Sequence, residues 1–390
     1  MHIGIAGPIY IPSINLKYTG DRHKWPVGMG GVPVNHLINA LLELGHHVSV
    51  FSSSPEIEVG DSFEWHEDNI SIYLGPRRKR TRNLCGDFFS VERDYIKNAI
   101  TNTKPDLVHA HWQYEWAWGA LDSGFPVLVT CHDSPWHVFK AQADLYRFFR
   151  LIMALIVIKK ANNLTTVSGY CAKGLQLLTS KKIKVIPNFE PEEVFNLYQV
   201  NRVVNKGCCI AMVNNGFTTR KNVEIGIEAF VRLRDQNPDI ELHLFGSSFA
   251  EGEEAHEWSR KRFPLDNIYF QGAFLFSDLM KRLSVMDVFL HTSIEESFGM
   301  VLVEAMAMGI PVIAGKSSGG PQWILNEGGG LLVDITNIDD VKNALQSLLE
   351  TDRYNKLSLK ARDVAVSRFG KDKVVGQYID AYKALLPQFY

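Results

Sequence analysis

The feature that most constrains the fold is an alternation between short apolar runs and segments of helical periodicity. In the first half of the chain the apolar runs are bounded by Gly, Pro or Asp, and they cover residues 3–6, 48–52, 70–74, 107–110, 127–131 and 164–167. Between the first two runs, residues 32–44 place apolar side chains at helical spacing, and Gly45 follows as a suitable helix end. This order predicts parallel βαβ units.

The second half of the chain repeats the pattern. Predicted strands cover residues 208–213, 241–246, 268–272, 288–291, 311–314 and 330–333. Predicted helices cover residues 223–236, 275–282, 300–308, 338–349 and 356–368. The repetition therefore predicts an α/β protein with two doubly wound, Rossmann-like domains whose parallel sheets face a central cleft.

The domain boundaries follow from where the periodicity stops. We predict an N-terminal domain over residues 1–190 and a C-terminal domain over residues 204–368. Residues 186–206 lack a clear period and are rich in Asn, Glu and Pro, so they are predicted to connect the domains. Residues 369–390 contain an aromatic-rich helical segment, which we expect to return to the N-terminal domain.

Composition and charge restrict the function classes. The chain has 390 residues and a formal net charge of −2, which weighs against a nucleic-acid-binding protein. Its five cysteines form no C-x-x-C pair, as expected for reduced thiols in a cytoplasmic protein. The N-terminus resembles a first strand more than a signal peptide, and the longest apolar run, residues 151–158, is too short to cross a bilayer. We expect a cytoplasmic protein, or one bound peripherally at the inner face of a membrane.

The most informative segment for chemistry is residues 293–314. It places a strand end, a Gly-containing turn, a helix and another strand in succession, with the helix beginning near Gly299. A helix N-terminus has unpaired N–H groups and suits a phosphate. Glu296 precedes the helix and Glu304 lies within it, about 10 Å away at a rise of ~1.5 Å per residue. A carboxylate on a helix that is otherwise apolar is costly unless it has a function.

This segment, Glu296-Ser-Phe-Gly-Met-x-x-x-Glu304-Ala-x-Ala-x-Gly-x-Pro-Val-Ile-Ala, resembles the E-x7-E signature of retaining GT-B glycosyltransferases of family GT4, the group 1 glycosyltransferases. The resemblance implies a GT-B fold with an acceptor-side N-terminal domain and a donor-side C-terminal domain. It implies that Glu296 contacts hydroxyls of the donor sugar and that Glu304 contacts the ribose. Sugar and phosphate oxygens would be held by the backbone amides of Phe298, Gly299, Met300 and Val301. No metal or other cofactor is implied.

Three further segments resemble the donor site of this family. Lys221 stands between a strand and a helix, where it would offset charge on a pyrophosphate. The family usually has an arginine a few residues earlier, where this sequence has Asn215 or Gly216, and Arg220 is a candidate to replace it. Two other predicted contacts, at strand ends, are Gly246 and Phe274.

In the N-terminal half, the family resemblance points to a glycine loop and a strand-end histidine. The loop supplies Gly30 and Gly31, whose amides would meet the diphosphate; the sequence lacks the G-x-G-x-x-G of a dinucleotide site. His132 follows a predicted strand and would face the donor sugar near the reaction centre, so we take it as catalytic together with Glu296 and Lys221. His109 and His111 follow the preceding strand, and they are candidates for acceptor contacts or, without a third ligand in view, a metal pair.

A single basic cluster stands out in the sequence. It consists of Arg77, Arg78, Lys79, Arg80 and Arg82. It is either a solvated loop or an acceptor-side surface that meets anionic lipid or a phosphate-bearing carrier.

The resemblance implies a retaining glycosyltransferase that moves a sugar from a nucleotide-diphosphate-sugar, with a UDP-sugar favoured, to a hydroxyl acceptor. Polysaccharide, glycan or glycolipid biosynthesis is the expected setting. Two alternatives remain open at this point. One is a UDP-sugar epimerase of the same fold, and the other is a degenerate nucleotide-sugar-binding protein, which the missing arginine near Asn215 favours.

Overall fold

A computed structural model describes residues 1–200 and 207–386. The chain divides into two units, one formed by Met1–Phe189 with Lys371–Tyr390 and the other by Glu190–Gly370. The predicted start of the second domain at residue 204 lies outside the described residues. The described part of the predicted connection does not form a separate linker, because residues 190–200 belong to the second unit and contain a short helix.

The first unit is built on an eight-stranded sheet with the order β3-β4-β2-β1-β5-β6-β7-β8. The strands are β1 (His2–Ala6), β2 (His47–Ser54), β3 (Phe63–Glu67), β4 (Ile70–Pro76), β5 (Leu107–His111), β6 (Val127–Cys131), β7 (Asn163–Thr166) and β8 (Ile183–Val185). All neighbours are parallel except β3 and β4. The six predicted strands are present, and central strands such as β5 and β6 are buried along their whole length, as continuous apolar runs predict.

The sequence analysis missed two edge strands. In β3, Phe63 and Trp65 are half-buried and alternate with the exposed Glu64 and His66, because one face of this antiparallel strand is solvated. β8 has three residues and is too short to give a pattern. The first sheet is therefore mixed at one edge, which corrects the prediction of a purely parallel sheet.

Helices cover both faces of the first sheet. They are α1 (Val32–Glu43), α2 (Thr81–Gly86), α3 (Ser90–Thr103), α4 (Glu115–Asp122), α5 (Pro135–Ala141), α6 (Leu145–Lys160) and α7 (Gly169–Gln176). The chain returns to this unit with its last helix, Lys371–Leu385, whose Val374, Tyr378 and Tyr382 share a core with Ile3 and Leu37. The expected return of the C-terminal helix is confirmed.

The second unit has a six-stranded, fully parallel sheet with the order β11-β10-β9-β12-β13-β14. Its strands are β9 (Cys209–Val213), β10 (Glu241–Phe245), β11 (Ile268–Gly272), β12 (Val288–His291), β13 (Val312–Gly315) and β14 (Gly330–Val333). Its helices are α8 (Glu192–Phe195), α9 (Val223–Arg234), α10 (Glu254–Arg260), α11 (Phe276–Leu283), α12 (Met300–Ala307), α13 (Gly320–Ile324), α14 (Ile338–Ser347) and α15 (Thr351–Phe369), so the returning helix of the first unit is α16.

The strand order of the second sheet positions its site. The chain moves outward from β9 to β11 and then crosses back to β12 on the other side of β9. In an open parallel sheet, ligands bind outside the carboxyl ends of the strands at such a switch point. The loops that follow β9 and β12 are therefore the expected location of a ligand site, and they carry Lys221 and Glu296.

Candidate active site

The loops at the carboxyl edge of the second sheet bring the predicted donor-site residues together. Lys221 follows β9, and Glu296 follows β12, and their side chains form an ion pair with the Lys221 Nζ 3.1 Å from the Glu296 Oε2. Both side chains are mostly buried, at 14% and 23% exposure. Burial alone would raise the pKa of Glu296, but the Lys221 ammonium, with the Arg220 guanidinium as a smaller contribution, outweighs it and lowers that pKa. Glu296 is therefore an ionised carboxylate held by a lysine.

Hydrogen bonds hold these two loops against each other. The Ile294 N–H donates to the Arg220 carbonyl oxygen at 2.9 Å, and the Thr292 hydroxyl donates to the Lys221 carbonyl oxygen at 3.0 Å. The Arg220 guanidinium donates to the Glu295 carbonyl oxygen at 3.0 Å. The Lys221–Glu296 pair is thus preorganised by the backbone, and Arg220 uses at least one of its donors inside the protein.

A third loop, which follows β13, supports Glu296 from the other side. The Glu296 N–H donates to the Ser318 carbonyl oxygen at 3.0 Å, and the Gly320 N–H donates to the Glu296 carbonyl oxygen at 2.8 Å. A Cβ atom at Gly320 would lie 2.6 Å from the Phe298 carbonyl oxygen, so only glycine permits this close approach. The backbone around Glu296 is fixed on both sides.

The turn into α12 presents the predicted amides. Gly299 caps the helix with φ 95°, a left-handed conformation that favours glycine. Met300 and Val301 open the helix, where N–H groups lack intrahelical acceptors and the positive end of the helix dipole attracts anions. The Phe298 side chain is buried and meets Phe369 edge to face at 5.8 Å, so Phe298 can contact a ligand only through its backbone.

Glu304 lies one and a half turns further along α12 in a different environment. It is 6% exposed, and burial raises its pKa to about 8. The sequence analysis missed its neighbour Glu190, which is fully buried, and neither carboxyl oxygen of Glu190 has a hydrogen-bond partner within the described residues. Burial and, secondarily, Glu304 raise the pKa of Glu190 well above its usual range. Burial therefore disfavours the ionised form of both carboxyl groups.

Other buried polar groups at this edge also went unpredicted. Within residues 1–200 and 207–386, the side chains of Asn214, Ser293 and Ser318 and the Nδ1 atom of His291 have no hydrogen-bond partner. Burial lowers the pKa of His291 to about 4, so this histidine is neutral at physiological pH. Unpaired buried polar atoms are uncommon in native proteins and mark places where a ligand would satisfy them. Their position at strand ends was the signal that would have identified them.

The strand ends of β10 and β11 carry the last two predicted donor contacts. Gly246 has φ 116°, and a Cβ atom there would lie 1.8 Å from the Asn214 carbonyl oxygen. Phe274 is half-buried, with the Arg282 guanidinium 4.1 Å from its ring centroid. Asn215 is exposed, and it places no positive charge where the family usually has arginine.

Comparison with family models assigns the chain to a family. Residues 199–367 match the model of glycosyl transferases group 1, and residues 30–189 match that of Glycosyltransferase Family 4. The first match contains Lys221, Glu296 and Glu304, and the second contains Gly30 and His132. The chain belongs to the group 1 glycosyltransferases.

Relatives and solved structures agree with this assignment. The N-acetyl-alpha-D-glucosaminyl L-malate synthase of Bacillus anthracis is 24% identical over 383 residues, which cover 92% of this chain and 95% of the relative. The UDP-Gal:alpha-D-GlcNAc-diphosphoundecaprenol alpha-1,3-galactosyltransferase of Escherichia coli is 23% identical, covering 83% of this chain and 87% of the relative. The sucrose-phosphate synthase of Thermosynechococcus elongatus superposes with a TM-score of 0.78 at 21% identity, covering 99% of both chains. The GT-B fold is confirmed, and no finding supports the epimerase alternative.

In the first unit of this glycosyltransferase, the glycine loop precedes α1. Gly31 caps the helix with φ 108°, and a Cβ atom there would lie 2.2 Å from the Pro8 carbonyl oxygen. The Gly30 N–H donates to the Ile9 carbonyl oxygen at 3.1 Å. A diphosphate contact from the Gly30 amide therefore requires that this bond be replaced when the ligand binds.

His132 lies at the carboxyl end of β6 and belongs to a buried group of histidines. One of its ring nitrogens, Nε2, shares a hydrogen bond of 2.9 Å with Nδ1 of His111, and its ring stacks on Trp112 at 4.3 Å. Burial lowers the pKa of His132 to about 3, so the ring is neutral. His109 bonds Tyr382 of α16 through Nδ1 and Thr130 through Nε2, both at 2.7 Å, which leaves neither ring nitrogen for an acceptor or a metal.

The structure corrects the prediction for part of the basic cluster. Arg77 pairs with the buried Glu115 at 2.5 Å, and Arg78 pairs with Asp87 and Glu92, both at 2.7 Å. These two guanidinium groups are mostly buried, and they neutralise the buried Glu115 and Glu92. They are not part of an exposed surface, which leaves the three remaining cations, Lys79, Arg80 and Arg82, exposed to solvent.

Among the described residues, no helix combines the length and the apolar character needed to cross a bilayer. The five cysteines are free, and four of them are buried.

Proposed function

We propose that this glycosyltransferase works with retention of anomeric configuration, without a metal, on a nucleotide-diphosphate-sugar and a hydroxyl acceptor. The observation that carries the proposal is the Lys221–Glu296 ion pair between the loops after β9 and β12. It places a fixed cation and a fixed carboxylate beside the N-terminus of α12. A sugar joined to a diphosphate presents hydroxyl donors that suit the carboxylate and an anion that suits the cation.

The proposed roles follow from charge. Glu296 is ionised, so it accepts hydrogen bonds from hydroxyl groups of the donor sugar and orients the ring. Lys221 donates to the diphosphate and offsets the charge that develops on it when the glycosidic bond breaks. The amides of Met300 and Val301 hold phosphate or sugar oxygens. A fixed cation and helix N-terminus supply the charge stabilisation that a divalent metal supplies in other enzymes, which supports metal-independent transfer.

Retention is supported by the resemblance of residues 296–314 to the E-x7-E signature. In this mechanism the acceptor hydroxyl attacks from the same face that the diphosphate leaves, and the departing phosphate takes the acceptor proton. Glu296 then acts by orienting the sugar, and its pairing with Lys221 suits that role better than nucleophilic attack. His132, neutral at physiological pH, is proposed to donate or accept a hydrogen bond at the donor sugar.

A UDP-sugar is the proposed donor, and a polysaccharide, glycan or glycolipid is the proposed product. One support is the Escherichia coli relative, whose name gives UDP-Gal as the donor. Another is the solved Anabaena Alr3699/HepE, described in complex with UDP and glucose, with a TM-score of 0.66 at 19% identity over 98% of this chain. Glu304 is proposed to contact the ribose. Five free cysteines support a cytoplasmic setting.

A peripheral membrane contact is proposed only for the exposed part of the basic cluster, Lys79, Arg80 and Arg82. The test is sedimentation with phosphatidylglycerol vesicles, with phosphatidylcholine vesicles as the control. Replacing all three residues with alanine should abolish sedimentation with the anionic vesicles at low salt. Equal sedimentation of the wild type with both vesicle types would contradict the contact.

The exposed Asn215 keeps one alternative in view, a nucleotide-sugar-binding protein without transfer activity. The deciding experiment screens nucleotide-sugars by thermal shift and then follows the stabilising donor by proton NMR with a panel of acceptors. Transfer with an α-linked product from an α-linked donor, unchanged by EDTA, is expected. Stabilisation without transfer or hydrolysis would favour the alternative, an inverted product would exclude retention, and loss of rate with EDTA would exclude metal independence.

A further inference from the structure

The second sheet carries a group of three metal-ligating side chains at its amino edge. Cys209 begins β9, and Glu241 and His243 lie at the start of the neighbouring β10. One ligand atom from each residue lies within 4.8 Å of the other two. This edge is opposite to the one that carries Lys221 and Glu296, about 13 Å away along the four residue steps of β9 at ~3.3 Å each.

The strand register explains why the three side chains converge. Cys209 is the direct partner of Glu241 in the parallel pair of β9 and β10. His243 is two residues further along β10, and because side chains alternate between faces, it points to the same face as Glu241. All three residues are half-buried, so they are anchored in the sheet and reached from solvent.

The two ligand separations that involve the Glu241 Oε2 agree with a tetrahedral metal centre. The Cys209 Sγ lies 3.7 Å from the Glu241 Oε2, and the His243 Nε2 lies 3.0 Å from the same oxygen. Zinc bonds of about 2.3 Å to sulfur and about 2.0 Å to nitrogen or oxygen give tetrahedral edges of about 3.5 Å and about 3.3 Å for these pairs. A zinc ion would need shifts of a few tenths of an ångström in those two separations, and the Cys209 and His243 ligand atoms, which lie within 4.8 Å of each other, would have to stand about 3.5 Å apart.

Neighbouring groups hold the three residues in place. The His243 ring stacks on Tyr269 at 4.8 Å, which fixes the imidazole plane. The Tyr269 hydroxyl lies 3.5 Å from the Glu241 Oε1, the second oxygen of that carboxylate. The Cys209 N–H donates to the Asp287 Oδ2 at 2.8 Å, which anchors the start of β9. Such outer contacts orient the ligands of metal sites.

We propose that Cys209, Glu241 and His243 bind one zinc ion, with a water as the fourth ligand. A thiolate, an imidazole and a carboxylate form a ligand set suited to zinc, and three protein ligands leave one tetrahedral position to solvent. The site joins the first residues of β9 and β10 and lies outside the proposed transfer chemistry. It therefore stands independently of the proposed function.

The test is zinc titration of the untagged full chain by isothermal calorimetry, with cobalt(II) as a spectroscopic substitute. We expect one zinc per chain, and a thiolate-to-cobalt charge-transfer band that is absent in Cys209→Ser. Since loss of an outer-shell partner costs about 10–100-fold in metal affinity, loss of a ligand in Cys209→Ser or His243→Ala should cost at least as much. Zinc should also raise the melting temperature of the wild type more than that of either variant.

His66→Ala is the matched control, because His66 also lies beside a carboxylate, Glu64 at 3.8 Å, without a cysteine. This variant should bind zinc as the wild type does. The proposal fails if the wild type binds no zinc, if Cys209→Ser and His243→Ala bind as tightly as His66→Ala, or if bound cobalt shows no thiolate band.

Discussion

Glu296 and Glu304 belong to one motif and to one unit, yet the fold shifts their pKa values in opposite directions. Glu296 stands in a loop with Lys221 3.1 Å away, and its pKa is lowered. Glu304 stands inside α12 beside Glu190, another buried carboxyl group, and burial raises its pKa to about 8. One carboxyl group is ionised and paired, and the other is protonated.

Spacing in a motif therefore does not by itself assign chemistry to its members. An ionised carboxylate fixed by a lysine suits hydrogen bonds from sugar hydroxyls beside an anionic diphosphate. A protonated carboxyl group both donates and accepts, as a ribose with two hydroxyl groups requires.

The largest effect is expected from removing either member of the Lys221–Glu296 ion pair. Lys221→Ala leaves the Glu296 carboxylate without its cation and removes the proposed charge stabilisation of the leaving diphosphate. We expect the transfer rate at saturating donor to fall at least about 100-fold, and Glu296→Ala to do the same. The measurement is initial rate by product chromatography, with circular dichroism to check the fold. A variant that is folded and fully active would remove that residue from the site.

The raised pKa of Glu304 predicts that the stability of the folded protein depends on pH. The pKa of Glu304 is raised from 4.5 to about 8 in the folded protein, so the folded state binds more protons than the unfolded state in that window. The free energy of unfolding contributed by this group therefore falls as pH rises from about 4.5 to about 8.

Glu304→Gln should remove that dependence and stabilise the protein at pH 8 by on the order of a few kcal/mol relative to wild type. The measurement is urea unfolding at pH 5 and pH 8. Glu190→Gln is the companion variant. It should also reduce the dependence of the free energy of unfolding on pH, because the Glu190 carboxyl group is buried beside that of Glu304. Parallel pH profiles for wild type and Glu304→Gln would show that Glu304 is ionised in the folded state.

A smaller effect is expected on nucleotide binding, and it should differ between Glu304 and Glu296. Glu304→Ala should weaken binding of free UDP about tenfold, since it removes the proposed hydrogen bonds to the ribose, worth roughly 1–2 kcal/mol. Glu296→Ala should change UDP binding little, because its proposed partner is the sugar. Calorimetry with UDP measures both. If Glu296→Ala weakens UDP binding more than Glu304→Ala does, the two roles are exchanged.

The smallest effect is expected for Arg220, next to Lys221. Its guanidinium donates to the Glu295 carbonyl oxygen at 3.0 Å, so it supports the loop that carries Glu296. We expect Arg220→Ala to lower the transfer rate only about 2–5-fold, the loss of one hydrogen bond of about 0.5–1 kcal/mol. A loss as large as that of Lys221→Ala would show instead that Arg220 supplies the charge that Asn215 lacks.

The fold could be predicted well where a strand is a continuous apolar run. The strands Val127–Cys131 and Val288–His291 are present with the predicted bounds and are buried along their whole length, since burial on both faces leaves few polar residues in the sequence. The edge strand Phe63–Glu67 was missed, because one of its faces is solvated. At the candidate site, Lys221 and Glu296 follow predicted strands, and the resemblance to the family motifs singled them out. His291 and Asn214 also lie at strand ends, but they were missed because that position alone does not show that the fold leaves a polar side chain buried without a partner.

The sequence alone determined that the chain forms two α/β units and belongs to the group 1 glycosyltransferases. Both conclusions depend on local patterns, namely apolar periodicity and a loop-helix motif whose geometry is set by adjacent residues. Tertiary structure alone decided which carboxyl groups are charged and which arginines are buried. Glu190 approaches Glu304, and Glu115 approaches Arg77, across long stretches of chain. A pKa depends on burial and on the charges within a few ångströms, and those neighbours are brought together only by the fold.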